Sequence, residues 1–162
     1  MYKRQDILTA LRLRDEFGLK MTIEHCTEGY LIAEELRRAN VPIIVGPLIT
    51  ERSKIELRNL TFKAPAALHA AGVRFAMMTD HPVIPLQYLI LSAALAVRSG
   101  LPEREALRSI TINGAWAIGM DGRLGSLEPG KDADFALYDG HPLDARSHVR
   151  QVYVNGELVS EG

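Results

Sequence analysis

Hydrophobic positions in the first 80 residues repeat one order: an amphipathic helix, a stop residue and a short apolar strand. The apolar stripe of the first helix consists of Ile7, Leu8, Leu11 and Phe17. Each helix ends at a glycine or asparagine, the residues that most readily adopt the left-handed conformation after a last turn. The three predicted helices are Asp6 to Phe17 ended by Gly18, Tyr30 to Ala39 ended by Asn40, and Lys63 to Ala71 ended by Gly72.

The strands that follow these helices are continuous apolar runs, predicted over Lys20 to Glu24, Val41 to Val45 and Val73 to Met78. Such runs are typical of parallel strands covered on both faces by helices. The pattern fits either a doubly wound sheet or part of a (β/α)8 barrel. In both folds, reacting groups gather beyond the carboxyl ends of the strands, where His25 and Asp80 lie. The long connection from Gly46 to Leu60 is predicted to be a loop over that edge.

The rest of the chain is predicted to be helical at first and then to form short β-strands. Helices are predicted over Leu86 to Ser99, Pro102 to Ser109 and Thr111 to Ile118. From Gly122 onward, turn signals separate short strands at Phe135 to Tyr138, Val149 to Val154 and Glu157 to Val159, the last two joined by a tight hairpin at Asn155-Gly156. We therefore divide the chain into an α/β part, residues 1–121, and a small β segment, residues 122–162.

Composition narrows the choice of partners. The chain is 47% hydrophobic and 24% charged, with a formal net charge of −1, which gives no basic field for nucleic acid and no polybasic membrane anchor. The longest apolar run, Leu86 to Val97, is too short and too interrupted to cross a bilayer. Cys26 is the only cysteine, so a reducing cytoplasm is the expected compartment. We expect a small-molecule substrate, and an oligomer of identical chains is compatible with the sequence.

The candidate site residues each have an ordinary alternative. His25 could bind a metal or polarise a substrate, or it could be a packing histidine. Asp80 follows a buried strand, where a carboxylate is costly unless it is paired or binds a metal, but it could also serve a turn before Pro82. His81 could orient Asp80, contact substrate or lie in a loop. Cys26 is interpreted as a packing residue, and three further histidines as structural or solvent-facing: His69, His141 and His148.

The segment Gly125 to Lys131 matches the first seven positions of a phosphate-binding P-loop, but its chemistry argues against that function. Asp132 replaces the magnesium-binding serine or threonine, Pro129 removes an N–H donor, and Glu128 adds negative charge. A strand is predicted to follow, whereas a P-loop opens a helix. We therefore predict a turn without nucleotide affinity.

Four stretches resemble the amidohydrolase superfamily, especially the branch around imidazolonepropionase. Thr-Ile-Glu-His-Cys-Thr at 22–27 resembles the end of the family's sixth barrel strand, and Phe-Ala-Met-Met-Thr-Asp-His-Pro at 75–82 resembles the end of the eighth. Gly125 to Asp134 resembles the entry into the family's small β domain, and Val-Tyr-Val-Asn-Gly at 152–156 its closing hairpin. The resemblance covers nearly the whole chain from Asp6.

The resemblance implies a fold and a set of roles. The fold would be α/β, a partial (β/α)8 TIM-type barrel with strands six to eight, followed by a segment of a composite β-sandwich domain. His25 would ligate a second metal or contact substrate, and Asp80 would bind the metal and take a proton from the attacking water. The cofactor would be a divalent metal, zinc in the first place, with iron or manganese as alternatives. His81 is the expected substrate contact.

Departures from the family pattern limit what this chain can do alone. The family's His-x-His pair does not occur in these residues, its fourth-strand lysine or glutamate cannot be placed, and its fifth-strand histidine would fall at or before Met1. Met1 to Gln5 therefore resembles a truncation edge. We expect the C-terminal portion of a metal-dependent hydrolase of a carbon–nitrogen bond other than a peptide bond, inactive alone. The rival readings are a non-catalytic half-barrel and a small-molecule binding module on a doubly wound sheet.

Overall fold

Three apolar segments form a parallel sheet in the computed structural model, which describes residues 1–162. The strands are β1 (Ile23–His25), β2 (Ile43–Val45) and β3 (Ala76–Met77), in the order β1-β2-β3. Ile23 aligns with Ile43, and Val45 aligns with both His25 and Met77. The α/β class and the parallel sheet predicted from the sequence are thus confirmed.

The strands are shorter than the sequence predicts. At the amino end of the sheet, the Ile23 N–H donates to the Pro42 carbonyl over 2.9 Å, but Pro42 has no N–H with which to continue the ladder. The β1–β2 ladder therefore begins only at Ile23 and Ile43. Directly before β3, the Phe75 carbonyl accepts a hydrogen bond from the Asn113 side chain over 2.8 Å, so the segment that carries Asn113 is attached to the outer edge of the sheet.

Six helices surround the sheet: α1 (Arg4–Phe17), α2 (Ala33–Ala39), α3 (Ala64–Ala70), α4 (Leu89–Arg98), α5 (Glu103–Ser109) and α6 (Ile112–Ala117). Short 3₁₀ turns cover Gly29–Ile32, Ile55–Leu57 and Leu86–Tyr88. Gly18 and Asn40 end α1 and α2 in the left-handed conformation, as predicted. None of the helices has the length and apolarity that crossing a membrane requires.

A second, antiparallel sheet lies in the last third of the chain, with strands β4 (Phe135–Tyr138), β5 (Val149–Val154) and β6 (Glu157–Glu161). Asn155 and Gly156 both have positive φ, 52° and 79°, which is the requirement of the predicted tight hairpin. The buried core of 19 residues runs from Ile7 to Ala106 and thus belongs to the first part. The boundary between residues 121 and 122 stays a prediction.

The segment compared with a P-loop is a turn. The Lys131 ammonium donates to the Ser126 hydroxyl over 2.7 Å and lies 3.7 Å from a Glu128 oxygen. Strand β4, not a helix, follows it. The predicted turn and strand are confirmed, and the local geometry lacks the helix N-terminus that a phosphate would need.

Candidate active site

His25 and Asp80 lie at the same end of the parallel sheet. His25 is the last residue of β1, and Asp80 follows the end of β3 by three residues. Because β2 lies between these strands, their backbones are about 10 Å apart across the sheet. The two side chains therefore belong to one edge, but only a group placed between them could contact both.

The backbone at this edge is held in an uncommon conformation. His25, Cys26 and Asp80 have φ of 66°, 47° and 54°, in the left-handed region. The two other non-glycine residues with positive φ, Asn40 and Asn155, end a helix and form a hairpin. Left-handed conformation costs about 1–2 kcal/mol for a residue with a Cβ, and such strain clusters at functional sites. No local sequence pattern indicates this backbone strain.

The His25 ring is fixed by two neighbours. Its Nδ1 lies 3.0 Å from the Gly46 carbonyl oxygen, and the Tyr2 ring lies against it with centroids 4.6 Å apart. A carbonyl oxygen only accepts hydrogen bonds, so Nδ1 donates and Nε2 keeps the lone pair of the neutral ring. Metal-ligating histidines use the same arrangement, with one nitrogen anchored to a carbonyl.

Asp80 is half-buried, and its carboxylate makes no hydrogen bond or ion pair in the chain. No buried side-chain oxygen of the chain lacks a partner, so the Asp80 carboxylate reaches solvent. The turn that follows is closed by backbone groups, with the Val83 N–H donating to the Asp80 carbonyl over 2.8 Å. The side chain thus makes no turn-capping contact, which was the ordinary alternative for this residue. His81 is exposed.

The residues present meet only part of the requirement of a metal site. An imidazole nitrogen and a carboxylate oxygen are donors that zinc, iron and manganese accept. However, no three histidine, cysteine, aspartate or glutamate side chains lie together in a way that could hold an ion. A catalytic zinc site typically has three protein ligands. These 162 residues therefore offer an incomplete donor set.

Cys26 does not add to this donor set. The residue is fully buried, and burial raises the pKa of its thiol to about 12. A thiol becomes a nucleophile or a metal ligand only as the thiolate, which is disfavoured here. The interpretation of Cys26 as a packing residue agrees with this environment.

The remaining histidines lie away from this edge. His69 is half-buried in α3 near the amino end of β3. His141 lies 3.4 Å from Glu103, and His148 lies 3.5 Å from Asp139, both in exposed positions. These contacts agree with the structural and solvent-facing roles expected of them.

One charged residue next to the site was missed in the sequence. Glu28 is fully buried, and its carboxylate accepts hydrogen bonds from Lys3 Nζ (2.7 Å), Asn59 Nδ2 (2.7 Å) and the Arg4 N–H (3.1 Å). Burial alone would raise the pKa of Glu28, but these hydrogen bonds outweigh it and lower the pKa from its ordinary 4.5 to about 2. Its partners are 24 to 31 residues away along the chain, so no local pattern indicates them.

Comparison with known proteins identifies the family. The model of the amidohydrolase family matches residues 5–159. An imidazolonepropionase from Treponema denticola is 35% identical over 101 residues, which cover 56% of this chain and 24% of that protein.

Solved structures similar to this chain support the same family. An amidohydrolase from Thermotoga maritima MSB8 is 45% identical with a TM-score of 0.96, and the match covers 100% of this chain and 42% of that one. An adenosine deaminase from Xanthomonas campestris with bound zinc is 25% identical with a TM-score of 0.67, and the match covers 91% and 39% of the two chains. The chain thus spans less than half the length of these relatives. It belongs to the amidohydrolase family, in the branch that includes the imidazolonepropionases.

Proposed function

We propose that this chain is the C-terminal portion of a metal-dependent hydrolase that cleaves a carbon–nitrogen bond other than a peptide bond, in a cyclic amide, an N-acyl compound or a related small molecule. It would contribute barrel strands six to eight and a segment of the small β domain. The observation that carries the proposal is the placement of His25 and Asp80 at one edge of the parallel sheet. There, His25 Nε2 and the Asp80 carboxylate are both without a partner in the chain.

The two residues would have different tasks. His25, already oriented through Nδ1, would offer Nε2 to a metal or to the substrate. Asp80 would bind a metal and accept the proton of the attacking water, then pass it to the leaving nitrogen. His81, exposed beside Asp80, would contact the substrate. When bound, a divalent metal, zinc in the first place with iron or manganese as alternatives, polarises the scissile carbonyl and lowers the pKa of water.

The incomplete donor set is part of the proposal. Two candidate ligands do not hold a catalytic ion, so further ligands must come from residues outside these 162. We therefore expect the chain alone to retain metal weakly and to turn over no substrate. A reducing cytoplasm remains the proposed compartment, in keeping with a single unpaired, buried cysteine.

The test is complementation. The chain is co-expressed with the part of the Thermotoga maritima amidohydrolase that the match leaves uncovered, and the complex is purified. Bound metal is measured by mass spectrometry, and hydrolysis is assayed on a panel of cyclic amides and N-acyl amino acids. We expect metal and turnover in the complex but not in the chain alone. Asp80→Asn should lower kcat by at least about 100-fold, the usual lower range of general acid–base catalysis.

A matched control comes from the second sheet, where His148 lies beside Asp139. His148→Gln and Asp139→Asn remove the same chemical groups outside the parallel sheet and should leave turnover unchanged. A complex that forms but holds no metal and hydrolyses nothing would favour the non-catalytic half-barrel. Tight stoichiometric metal and turnover in the chain alone would contradict the proposed fragment character.

A further inference from the structure

Glu28 connects three segments of the chain around His25. It lies in the turn after β1, three residues beyond His25. Its carboxylate binds Lys3 and the first N–H of helix α1, at Arg4, on one side, and Asn59, in the long loop after β2, on the other. A fully buried carboxylate with this many partners orders every segment that it contacts.

The first of these segments places Tyr2. The Glu28 N–H donates to the Tyr2 carbonyl over 2.9 Å, while its side chain holds the next two residues. The Tyr2 ring lies against the His25 ring at 4.6 Å. The face of the imidazole is therefore covered by a residue whose backbone Glu28 fixes.

The second segment is the loop from Gly46 to Leu60, which is attached to the β1 side at both ends. At its start, the Gly46 carbonyl accepts from His25 Nδ1 over 3.0 Å, and the Gly46 N–H donates to the His25 carbonyl over 3.3 Å. At its end, Asn59 donates to Glu28 and accepts from the Tyr30 hydroxyl over 3.2 Å. The carbonyl that sets the protonated nitrogen of His25 thus belongs to a loop that Glu28 holds at its far end.

We propose that Glu28 is a positioning residue for His25: it holds Tyr2 and the Gly46–Leu60 loop against the imidazole, and so keeps Nδ1 on Gly46 and the lone pair on Nε2. The value of this arrangement for catalysis rests on the proposed role of His25. A role in stability alone would not require a carboxylate here, because replacing a whole buried ion pair by apolar side chains of similar volume is often neutral or stabilising.

The test measures the tautomer of the His25 ring directly and needs neither metal nor substrate. The chain is labelled with ¹⁵N-histidine and studied at a pH at which the imidazole is neutral. In the native protein, long-range ¹H–¹⁵N spectra should show one tautomer, with Nδ1 protonated, and a nuclear Overhauser contact between the rings of Tyr2 and His25. In Glu28→Gln, the nitrogen signals should move toward averaged tautomers, and the ring contact should weaken.

Asp144→Asn is the matched control, because Asp144 is also a hydrogen-bonded carboxylate, paired with Arg146 in an exposed loop. It should change neither signal. If Glu28→Gln fails to fold, Asn59→Ala removes one donor to Glu28 while Lys3 and Arg4 remain, and it should give a partial shift of the same kind. A folded Glu28→Gln or Asn59→Ala protein whose His25 tautomer and ring contact match the native protein would overturn the positioning role, even if its unfolding midpoint had fallen.

The complemented protein separates this inference from the proposed function. There, Glu28→Gln should lower turnover about 10- to 100-fold, as loss of a residue that orients a metal-binding histidine usually does. If Glu28→Gln shifts the tautomer but the wild-type complex is inactive, the positioning role of Glu28 stands and the proposed hydrolase function is rejected. If a Glu28→Gln complex has normal turnover, the positioning role is rejected and the proposed hydrolase function stands.

Discussion

Acid should destabilise the folded chain by protonating the Glu28 carboxylate. The pKa of its carboxyl is about 2 in the folded chain, against an ordinary value of 4.5. The folded state therefore binds this proton less tightly than the unfolded state, and the stabilisation is fully present above pH 4.5 and is lost as the pH falls toward 2. At about 1.4 kcal/mol for each pKa unit, the difference corresponds to about 3 kcal/mol. The side chain is fully buried, so solvent screens this contribution little.

The assay is urea denaturation, followed by circular dichroism, at a series of pH values between 2 and 7. Wild-type protein should lose about 3 kcal/mol more of its unfolding free energy across the window from pH 4.5 to 2 than Glu28→Gln loses. Asp144→Asn is the control, because the pKa of Asp144 is also lowered to about 2 by hydrogen bonds from Arg146, but the group is exposed. It should change the pH dependence far less. If Glu28→Gln and wild type followed parallel curves down to pH 2, the assignment of the low pKa to Glu28 would be wrong.

Three further changes test the packing. Gly125→Ala should destabilise the chain by more than about 1–2 kcal/mol in urea, because φ is 87° and an added Cβ would lie 2.6 Å from Ile112 Cα. Asn113→Ala should cost about 1–3 kcal/mol in the same assay, since the Phe75 carbonyl would lose its donor in a buried position. The Cys26 thiol should react with a disulfide reagent only in denaturant, because it is buried and its pKa is about 12; rapid native labelling would contradict this packing.

Much of the fold follows from local signals in the sequence. Gly18 and Asn40 end their helices because these residues tolerate positive φ, and Asn155-Gly156 forms the hairpin for the same reason. The apolar runs before His25 and Asp80 indicate strands, because short continuous apolar runs are typical of parallel strands that helices cover on both faces. The residues within a single turn or a single strand are enough to predict these features.

The missing details depend on partners far along the chain. The β1–β2 ladder is short because Pro42, whose carbonyl accepts the Ile23 N–H, has no N–H of its own to continue the pairing, and the register of the sheet sets this position. Glu28 reads locally as a solvent-facing residue before a helix, yet Lys3 and Asn59 enclose it. The positive φ of His25 is likewise a property of the assembled edge. Local propensity could not indicate any of these features.

Within this chain, the side chain of His25 is held by several contacts, whereas that of Asp80 is held by none. His25 has its ring nitrogen, its ring face and its loop fixed by residues of these 162. Asp80 has a strained backbone but no side-chain partner. A carboxylate without a partner in the chain forms new charge-assisted contacts when a cation or a donor arrives. We therefore expect complementation to change the surroundings of Asp80 far more than those of His25. Chemical-shift changes on complex formation should follow this order, and larger changes around His25 than around Asp80 would contradict this expectation.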